Sequence, residues 1–244
     1  MEPEAYQQMR LLQSEHWWFV ARRQILDSLI DDIGLEPDAQ ILEAGCGPGG
    51  NVDLLSRHGR VTAFDMDPAT VALCGREHDI VCALGRLPDD HPFHGTRRFD
   101  MVAALDVIEH VEDDAASVGS LASCLREGGW LLLTVPAFQW MFSAHDRFHH
   151  HRRRYRRHEV QALVESAGLQ VQRAGYFNAL LFPAIAMLRL MNRGGGNPVR
   201  SDMTMPWRWV NTLLKRVFAS EAWWLRHVRF PFGTSIFLVA RKVR

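Results

Sequence analysis

One glycine-rich segment, residues 40–50 with the sequence QILEAGCGPGG, constrains the fold of this chain more than any other stretch. A short apolar strand runs into Glu43 and then into a turn that contains four glycines. Glycine has no Cβ, so the backbone of the turn can adopt positive φ and a ligand can approach it closely. The next residues, 51–58, are predicted to form a helix whose free N–H groups would face that ligand.

The turn is compatible with more than one nucleotide ligand. Gly45, Gly47 and Gly50 satisfy the pattern G-x-G-x-x-G of dinucleotide-binding proteins. Asp65 follows at the end of a second apolar run, where a carboxylate would bind ribose hydroxyls. The glycine pattern alone therefore leaves the identity of the nucleotide open.

Apolar strands alternate with helices through the following part of the chain. Strands are predicted at residues 40–44, 60–65, 79–83, 99–106 and 130–135, with helices at 51–58, 68–77 and 113–126. This alternation predicts a parallel sheet with helices on both faces. Ligands of such sheets bind at the carboxyl ends of the strands, so Glu43, Asp65 and Asp106 are expected to converge on one site.

The segments that flank this sheet complete the predicted organisation. Residues 6–33 are predicted to be helical, and Trp17 and Trp18 either pack on the main domain or belong to a lid that directs His16 and Arg22 inward. A helix at 157–167, a strand at 169–176 and a last strand from 233 follow. We expect a helical lid at 1–36, a core at 37–178, a helical insertion at 179–230 and a final core strand at 231–244.

Composition argues against several classes of protein. The chain has 28 Lys and Arg against 28 Asp and Glu, so no global charge favours nucleic acid. Its four cysteines are separate in sequence and are predicted to be small buried residues in a reducing compartment. The N-terminus lacks a signal peptide, and no uncharged run reaches the roughly 18 residues of a spanning helix. A cytoplasmic protein is expected.

Four motifs occur in a fixed order: EAGCGPG, FDMDP, FDMVAALDVIEHV and LREGGWLLLTVP. Together they resemble the class I S-adenosylmethionine-dependent methyltransferases over about residues 40–175, including uncharacterised bacterial small-molecule enzymes and ubiquinone-pathway O-methyltransferases. The resemblance implies an α/β, Rossmann-like sheet of seven strands whose last strand is antiparallel. The chain departs from the family in lacking an acidic residue after the third strand, where the adenine amino group is often bound.

The resemblance also implies how S-adenosylmethionine would bind. Gly45 and Gly47 would form a backbone platform, Asp65 would bind the ribose hydroxyls, and Met66 would pack on the adenine. Glu43 would hold the amino-acid end, directly or through water. The expected cofactor-binding residues are Glu43, Ala44, Gly45, Gly47, Asn51, Asp65, Met66, Leu84, Gly85, Asp106, Val107 and His110.

The segment DVIEH after the fourth strand is a candidate metal site. Asp106, Glu109 and His110 are spaced i, i+3, i+4 and would share one face of a helix. Two carboxylates and an imidazole can hold a divalent cation such as Mg²⁺. Similar segments bind metal in small-RNA 2′-O-methyltransferases, which these residues resemble. Alternatively, Glu109 and His110 cap and pack the helix.

A basic segment after the fifth strand is the candidate catalytic region. Residues 143–158 contain six arginines, five histidines and Asp146. His145 paired with Asp146 is the first choice for a general base, and His151 is the second. Arginine side chains here would suit an anionic acceptor, although a solvated basic loop is the alternative.

The insertion is rich in tryptophan and basic residues between 206 and 230. Such a segment can lie at a membrane surface, form a wall of the substrate pocket, or contact a second copy of the chain in a homodimer.

The predicted function is O-methylation of a small anionic or polyhydroxylated acceptor: a phenolic or quinol acid, a sugar or a natural product. N- or C-methylation of a small molecule, or a non-catalytic S-adenosylmethionine-binding module, are the alternatives. Nucleic acid is not expected as a partner, because the fourth strand ends in DVIE rather than in a base-methylating N/D-P-P-Y motif and a P-C nucleophile motif is missing after the fifth strand.

Overall fold

The computed structural model describes residues 12–95, 99–191 and 204–243. Its strands are β1 (Gln40–Ala44), β2 (Arg60–Asp65), β3 (Val81–Leu84), β4 (Phe99–Leu105), β5 (Leu125–Pro136), β6 (Leu169–Phe177) and β7 (Ser235–Lys242). Its helices are α1 (Trp17–Ile33), α2 (Val52–Leu55), α3 (Pro68–His78), α4 (Asp114–Cys124), α5 (Ala144–Phe148), α6 (Arg157–Ser166), α7 (Phe182–Met191), α8 (Arg208–Ala219) and α9 (Glu221–His227). Short 3-10 helices span Ile108–His110 and Gln139–Met141.

The strands form one sheet in the order β3-β2-β1-β4-β5-β7-β6. Strands β1 to β5 pair in parallel, whereas β7 lies antiparallel between β5 and β6. The predicted Rossmann-like sheet with an antiparallel last strand is confirmed.

The central strands are buried on both faces because helices cover the sheet on each side. Residues Met101–Ala104 of β4 are fully buried, as a continuous apolar run in a parallel sheet requires. Helices α4 and α6 pack on one face, and α1, α8 and α9 pack on the other. The carboxyl ends of the strands are left free to line a cavity.

Helix α1 begins later than predicted. The helical conformation is interrupted before Trp17, and His16 is the N-cap residue. Its Nδ1 accepts a hydrogen bond from the Trp18 backbone N–H at 3.3 Å. The Trp17 N–H donates to Oδ1 of Asn211, a residue of α8, at 2.8 Å. The helix ends at Gly34 in the left-handed conformation (φ 67°). Residues 6–11 of the predicted helix lie outside the described part of the chain.

Several element boundaries differ from the prediction. Strand β3 begins at Val81 rather than at residue 79, because Asp79 ends α3 in the left-handed conformation (φ 51°). Strand β5 begins at Leu125 directly after α4, and its register with β4 is irregular opposite Phe99 and Met101. The helix predicted at 51–58 is reduced to the four residues of α2.

Helices of the predicted insertion pack against α1. The rings of Trp17 and Phe218 meet edge to face at 5.9 Å. Glu221 is buried at the start of α9, and its Oε1 accepts a hydrogen bond from the Leu180 N–H at 2.8 Å. Within the described residues, no helix is both long and apolar enough to cross a membrane.

Candidate active site

A cavity of about 1510 Å³ opens at the carboxyl ends of β1, β2 and β4. It is lined by the glycine turn, by α1, by the 3-10 helix Ile108–His110 and by the histidine-rich segment after β5. Typical pockets for one small molecule measure about 300–1,000 Å³. This cavity therefore has room for a nucleotide-sized ligand and a second molecule.

Asp65 is fixed at the end of β2 by backbone hydrogen bonds. Its Oδ2 accepts from the Gly47 N–H at 2.9 Å and its Oδ1 from the Asp67 N–H at 3.0 Å. Burial raises the pKa of Asp65, and the two hydrogen bonds oppose that rise. Gly47 has φ 53°, and a Cβ on it would meet no atom, so its backbone faces open space. Met66 is 59% exposed beside this carboxylate, on the cavity wall.

Glu43 lies one layer behind the cavity wall. Its Oε1 accepts from Nδ2 of Asn51 at 2.9 Å, whereas Oε2 is buried and has no hydrogen-bond partner among the described residues. Burial raises the pKa of Glu43 to about 7, an effect that the Asn51 hydrogen bond and the Arg22 charge oppose. Glu43 is therefore connected to the cavity wall by its hydrogen bond with Asn51.

Arg22 of α1 connects three parts of the site. Its guanidinium donates to Oδ1 of Asn51 at 3.1 Å and to Oγ1 of Thr134 at 3.1 Å. It also forms an ion pair with Asp106 at 2.6 Å and lies 5.3 Å from the Trp18 ring centroid. The sequence suggested only that Arg22 points inward and identified none of these partners.

Asp106 is held at the end of β4 in a conformation that restricts its role. Its φ is 60°, its N–H donates to the Thr134 carbonyl at 3.0 Å, and its carboxylate contacts Arg22. The following turn is a 3-10 helix that begins at Ile108, so Asp106 does not share an α-helical face with Glu109 and His110. The metal-ligand set predicted from the sequence is therefore not assembled as expected.

A different group of three side chains converges instead. Donor atoms of Glu109, His110 and His151 all lie within 4.8 Å of one another. Glu109 is fully buried, and both its carboxylate oxygens have no hydrogen-bond partner among the described residues. Burial and the nearby Asp106 raise the pKa of Glu109 well above its ordinary value, and burial lowers the pKa of His110 to about 3.

Asp146 and His151 form a carboxylate–imidazole pair beside this group. The buried Asp146 carboxylate contacts Nδ1 of His151 at 3.0 Å and Nε of Arg154 at 2.7 Å. Burial raises the pKa of Asp146, but the His151 hydrogen bond and the Arg154 charge outweigh it and hold that pKa well below its usual range. Nε2 of His151 is left as the outer nitrogen, 4.0 Å from Oε1 of Glu109.

The sequence paired Asp146 with His145, and the structure pairs it with His151. Oδ2 of Asp146 accepts from the Ser143 N–H at 2.8 Å in a capping box at the start of α5, which directs the carboxylate away from its sequence neighbour. His145 still lines the cavity, where its Nδ1 is buried without a hydrogen-bond partner among the described residues. Burial lowers the pKa of His145 well below its ordinary value.

Most of the expected cofactor-binding residues line the cavity. They are Gly45, Gly47, Asn51, Asp65, Met66, Gly85, Asp106, Val107 and His110. Ala44 is fully buried in the sheet, and Leu84 is exposed at the end of β3; neither they nor Glu43 line the cavity. The assignment of Glu43, Ala44 and Leu84 as ligand contacts stays a prediction from the sequence.

Comparison with protein families matches the description "Methyltransferase domain" over residues 18–174. The chain is 30% identical over 170 residues to a probable S-adenosylmethionine-dependent methyltransferase of Mycolicibacterium smegmatis, covering 66% of this chain and 62% of that protein. It is 31% identical over 105 residues to a ubiquinone biosynthesis O-methyltransferase of Xanthomonas campestris pv. campestris, covering 41% of this chain and 44% of that protein. These matches thus span about half the length of the two relatives.

A solved structure shares the fold over nearly its whole length. It is a putative methyltransferase of Haloferax volcanii, determined in complex with a methyltransferase activator. The two chains superpose with a TM-score of 0.63 at 16% identity, covering 96% of this chain and 93% of the other. At this identity the similarity concerns the fold.

The raised pKa of Glu43 predicts that Glu43→Gln stabilises the protein at alkaline pH. A carboxyl whose pKa is raised from 4.5 to about 7 favours the folded state below pH 4.5, and this advantage is lost as the pH rises through about 7. The shift corresponds to a loss on the order of 3 kcal/mol. Glutamine stays neutral, so the variant should exceed the wild type in free energy of unfolding at about pH 8.5 and approach it near pH 4.5.

Urea unfolding at the two pH values measures this difference. The exposed Glu165→Gln is the matched control, and its free energy of unfolding should follow the wild type at both pH values. An equal change in stability for Glu43→Gln at both pH values would contradict the assignment.

Proposed function

Because this chain belongs to the class I S-adenosylmethionine-dependent methyltransferases, we propose that it transfers the methyl group of S-adenosylmethionine to an oxygen of a small anionic or polyhydroxylated acceptor. The observation that carries the proposal is the His151–Asp146 pair, whose His151 lines the same cavity as the glycine turn and Asp65. One cavity thus offers a nucleotide platform and a group that can accept a proton.

The cofactor would occupy the β1–β2 side of the cavity. Gly47 and Asp67 hold the Asp65 carboxylate in place, which suits bidentate hydrogen bonding to two ribose hydroxyls. The exposed thioether of Met66 offers an apolar surface for the adenine ring. The open backbone of Gly47 allows close approach of the nucleoside.

The methionine end would lie near the Arg22 network. Asn51 connects the buried Glu43 to Arg22, and Arg22 in turn holds Asp106 at the end of β4. These groups present both signs of charge to the zwitterionic amino-acid end of the cofactor. The same contacts keep the carboxylates of Glu43 and Asp106 fixed before the ligand arrives, which reduces the entropy lost on binding.

Methyl transfer to oxygen is an in-line displacement that requires a nucleophilic oxygen and a fixed alignment. Nε2 of His151 would accept the proton of the acceptor hydroxyl while the new O–CH3 bond forms and the S–CH3 bond breaks. S-adenosylhomocysteine is then the leaving product. The Asp146 carboxylate orients the ring through Nδ1 and stabilises the positive charge that the ring acquires.

The acceptor side of the cavity favours an anionic molecule. Arg152 and Arg189 line this side, and the guanidinium of Arg189 lies 3.6 Å from the Asp146 carboxylate. Arginine side chains bind carboxylate and phosphate groups with good geometry. Phenolic or quinol acids, sugars and natural products are the acceptor classes we propose, and the similarity to ubiquinone O-methyltransferases supports the first of these.

A divalent cation is the second means by which the site could activate a hydroxyl. The buried oxygens of Glu109 lack partners among the described residues, and two imidazoles and one carboxylate suit a transition metal ion better than Mg²⁺. Glu109, His110 and His151 would hold such an ion, which lowers the pKa of a bound hydroxyl. The Glu109 oxygens would then have a partner that the described residues do not supply.

Asp65→Ala should abolish binding of S-adenosylhomocysteine, because the ribose contact is lost and Gly47 loses its acceptor. Losing hydrogen bonds to a charged group costs about 1.5–3 kcal/mol each, so the dissociation constant should rise by roughly 100-fold or more. Calorimetric titration measures it. The exposed Asp53→Ala, outside the cavity wall, is the control and should bind as the wild type does. Unchanged affinity in Asp65→Ala would overturn the cofactor assignment.

His151→Ala should lower turnover by roughly 100-fold while S-adenosylhomocysteine still binds, because the proton acceptor is lost. Release of S-adenosylhomocysteine with phenolic acids, quinol acids and sugars as candidate acceptors measures turnover. His145→Ala is the comparison and should lower turnover less. A larger loss in His145→Ala would return the role of base to His145, as the sequence first suggested.

Treatment with EDTA distinguishes activation by a general base from activation by a metal ion. Wild-type turnover that survives EDTA supports His151 as a general base acting alone. Turnover that EDTA abolishes and that added metal ions restore supports a required cation, and loss of this restoration in His110→Ala would assign it to Glu109, His110 and His151.

We also propose that the insertion contacts an anionic membrane surface. Trp207 is 77% exposed and Trp209 is 66% exposed at the start of α8, and the exposed Arg208 and Arg216 lie in the same helix. Tryptophan rings beside basic residues favour the interface of anionic lipid bilayers. A homodimer contact is the competing interpretation of this face.

Flotation with anionic vesicles should recover the wild type and lose the double variant Trp207→Ala/Trp209→Ala, because the interfacial aromatic area is removed. Neutral vesicles are the control. Failure to float together with a concentration-dependent dimer in light scattering would favour the homodimer instead.

A further inference from the structure

Three of the four cysteines lie close together at the glycine turn. Cys46 lies within the turn, Cys74 lies in α3 and Cys82 lies in β3. Their Sγ atoms all lie within 4.8 Å of one another, and those of Cys46 and Cys82 are 3.6 Å apart. Because their spacing in sequence matches no metal-binding motif, the sequence suggested only isolated buried residues.

The separation of these sulfur atoms is close to that of thiolates around one metal ion. Zinc–thiolate bonds measure about 2.3 Å, which places two sulfurs of a tetrahedral site about 3.8 Å apart. A disulfide would require about 2.05 Å between Sγ atoms. The distance between Cys46 and Cys82, which is also the length of a thiol–thiol hydrogen bond, therefore excludes a disulfide and matches the spacing of two ligands of one ion.

We propose that Cys46, Cys74 and Cys82 form a binding site for one thiophilic divalent cation, with Zn²⁺ as the ion it takes. Soft thiolate ligands select zinc and similar ions over Mg²⁺. Each thiol gives up its proton to solvent as its metal–sulfur bond forms, so binding of one cation by all three releases three protons. This site shares no residue with the group of Glu109, His110 and His151, which also lines the cavity.

The cluster is accessible to an ion. Cys46 and Cys74 are buried, whereas the half-buried Cys82 gives a cation access to the three sulfur atoms from solvent.

Such a cation would fix the glycine turn. The Cys46 N–H donates to the Phe64 carbonyl at 3.2 Å, and the next N–H, of Gly47, holds Asp65. An ion bound by Cys46, by Cys74 of α3 and by Cys82 of the edge strand β3 would therefore link the turn to both elements. The stability of the metal-loaded protein should exceed that of the metal-free protein, because the ion binds only the folded arrangement.

Cadmium titration of the reduced, metal-free full chain tests the proposal. Thiolate–cadmium bonds absorb in the ultraviolet, so this signal is blind to the histidine group. We expect the absorbance to saturate at one cadmium per chain, and zinc to displace the cadmium. Added zinc should also raise the thermal midpoint of unfolding.

Cys74→Ser and Cys82→Ser should each lower cadmium affinity by roughly 100-fold or more, because loss of a direct ligand exceeds the effect of losing a supporting contact. Cys82 is half-buried in an edge strand, so its variant is the one expected to fold; circular dichroism verifies that fold. Cys124→Ser is the matched control: this buried cysteine lies in α4, where its Sγ donates to the Phe93 carbonyl, and its removal should leave the titration unchanged.

Two results would overturn the proposal. One is a wild-type titration in which the absorbance does not saturate at one cadmium ion per chain. The other is an undiminished signal in both Cys74→Ser and Cys82→Ser, and either result stands whether or not S-adenosylhomocysteine binds. His151→Ala should retain the full cadmium signal, because His151 is not a ligand of the cysteine site.

Discussion

The arrangement of the site depends on the buried guanidinium of Arg22. It belongs to α1, yet its acceptors lie after β1, at the end of β4 and in β5. A buried charge is stable only when it is paired, and removal of one partner typically costs about 3–5 kcal/mol. Helix α1 is therefore a fixed wall of the cavity rather than an independent appendage. The sheet positions the carboxylate of Asp106, and the carboxylate in turn positions the helix.

Burial affects two carboxylates of this region in different ways, because the number of their hydrogen-bond donors differs. Asp146 has donors from Ser143, His151 and Arg154, and its pKa falls despite full burial. Glu109 is equally buried, its carboxylate has no donor among the described residues, and its pKa rises. The pKa of the Asp146 carboxyl therefore lies below that of the Glu109 carboxyl. The difference between these two nearby groups follows from their partners and not from their depth.

Patterns of neighbouring residues predicted the sheet and its nucleotide side, but not the pairing of Asp146 with His151. The positions of Gly47 and Asp65 follow from local rules, because glycine turns and strand ends are defined by adjacent residues. The contact between Asp146 and His151 depends on the path of the chain: α5 ends at Phe148, and His150 adopts φ 56°, which reverses the backbone. The partners of Arg22 and the cysteine cluster were missed for the same reason, since the residues in contact come from distant elements.

The antiparallel strand β7 determines the order in which the sheet can be completed. It occupies the position between β5 and β6, although both are synthesised before it. Until β7 emerges from the ribosome, β6 has no strand to pair with and the edge of β5 stays open, so a nascent chain exposes two unpaired edges. The nucleotide side, built from β1 to β4, is available much earlier. During synthesis, the early half of the sheet can therefore form before the later half has the strand that joins it.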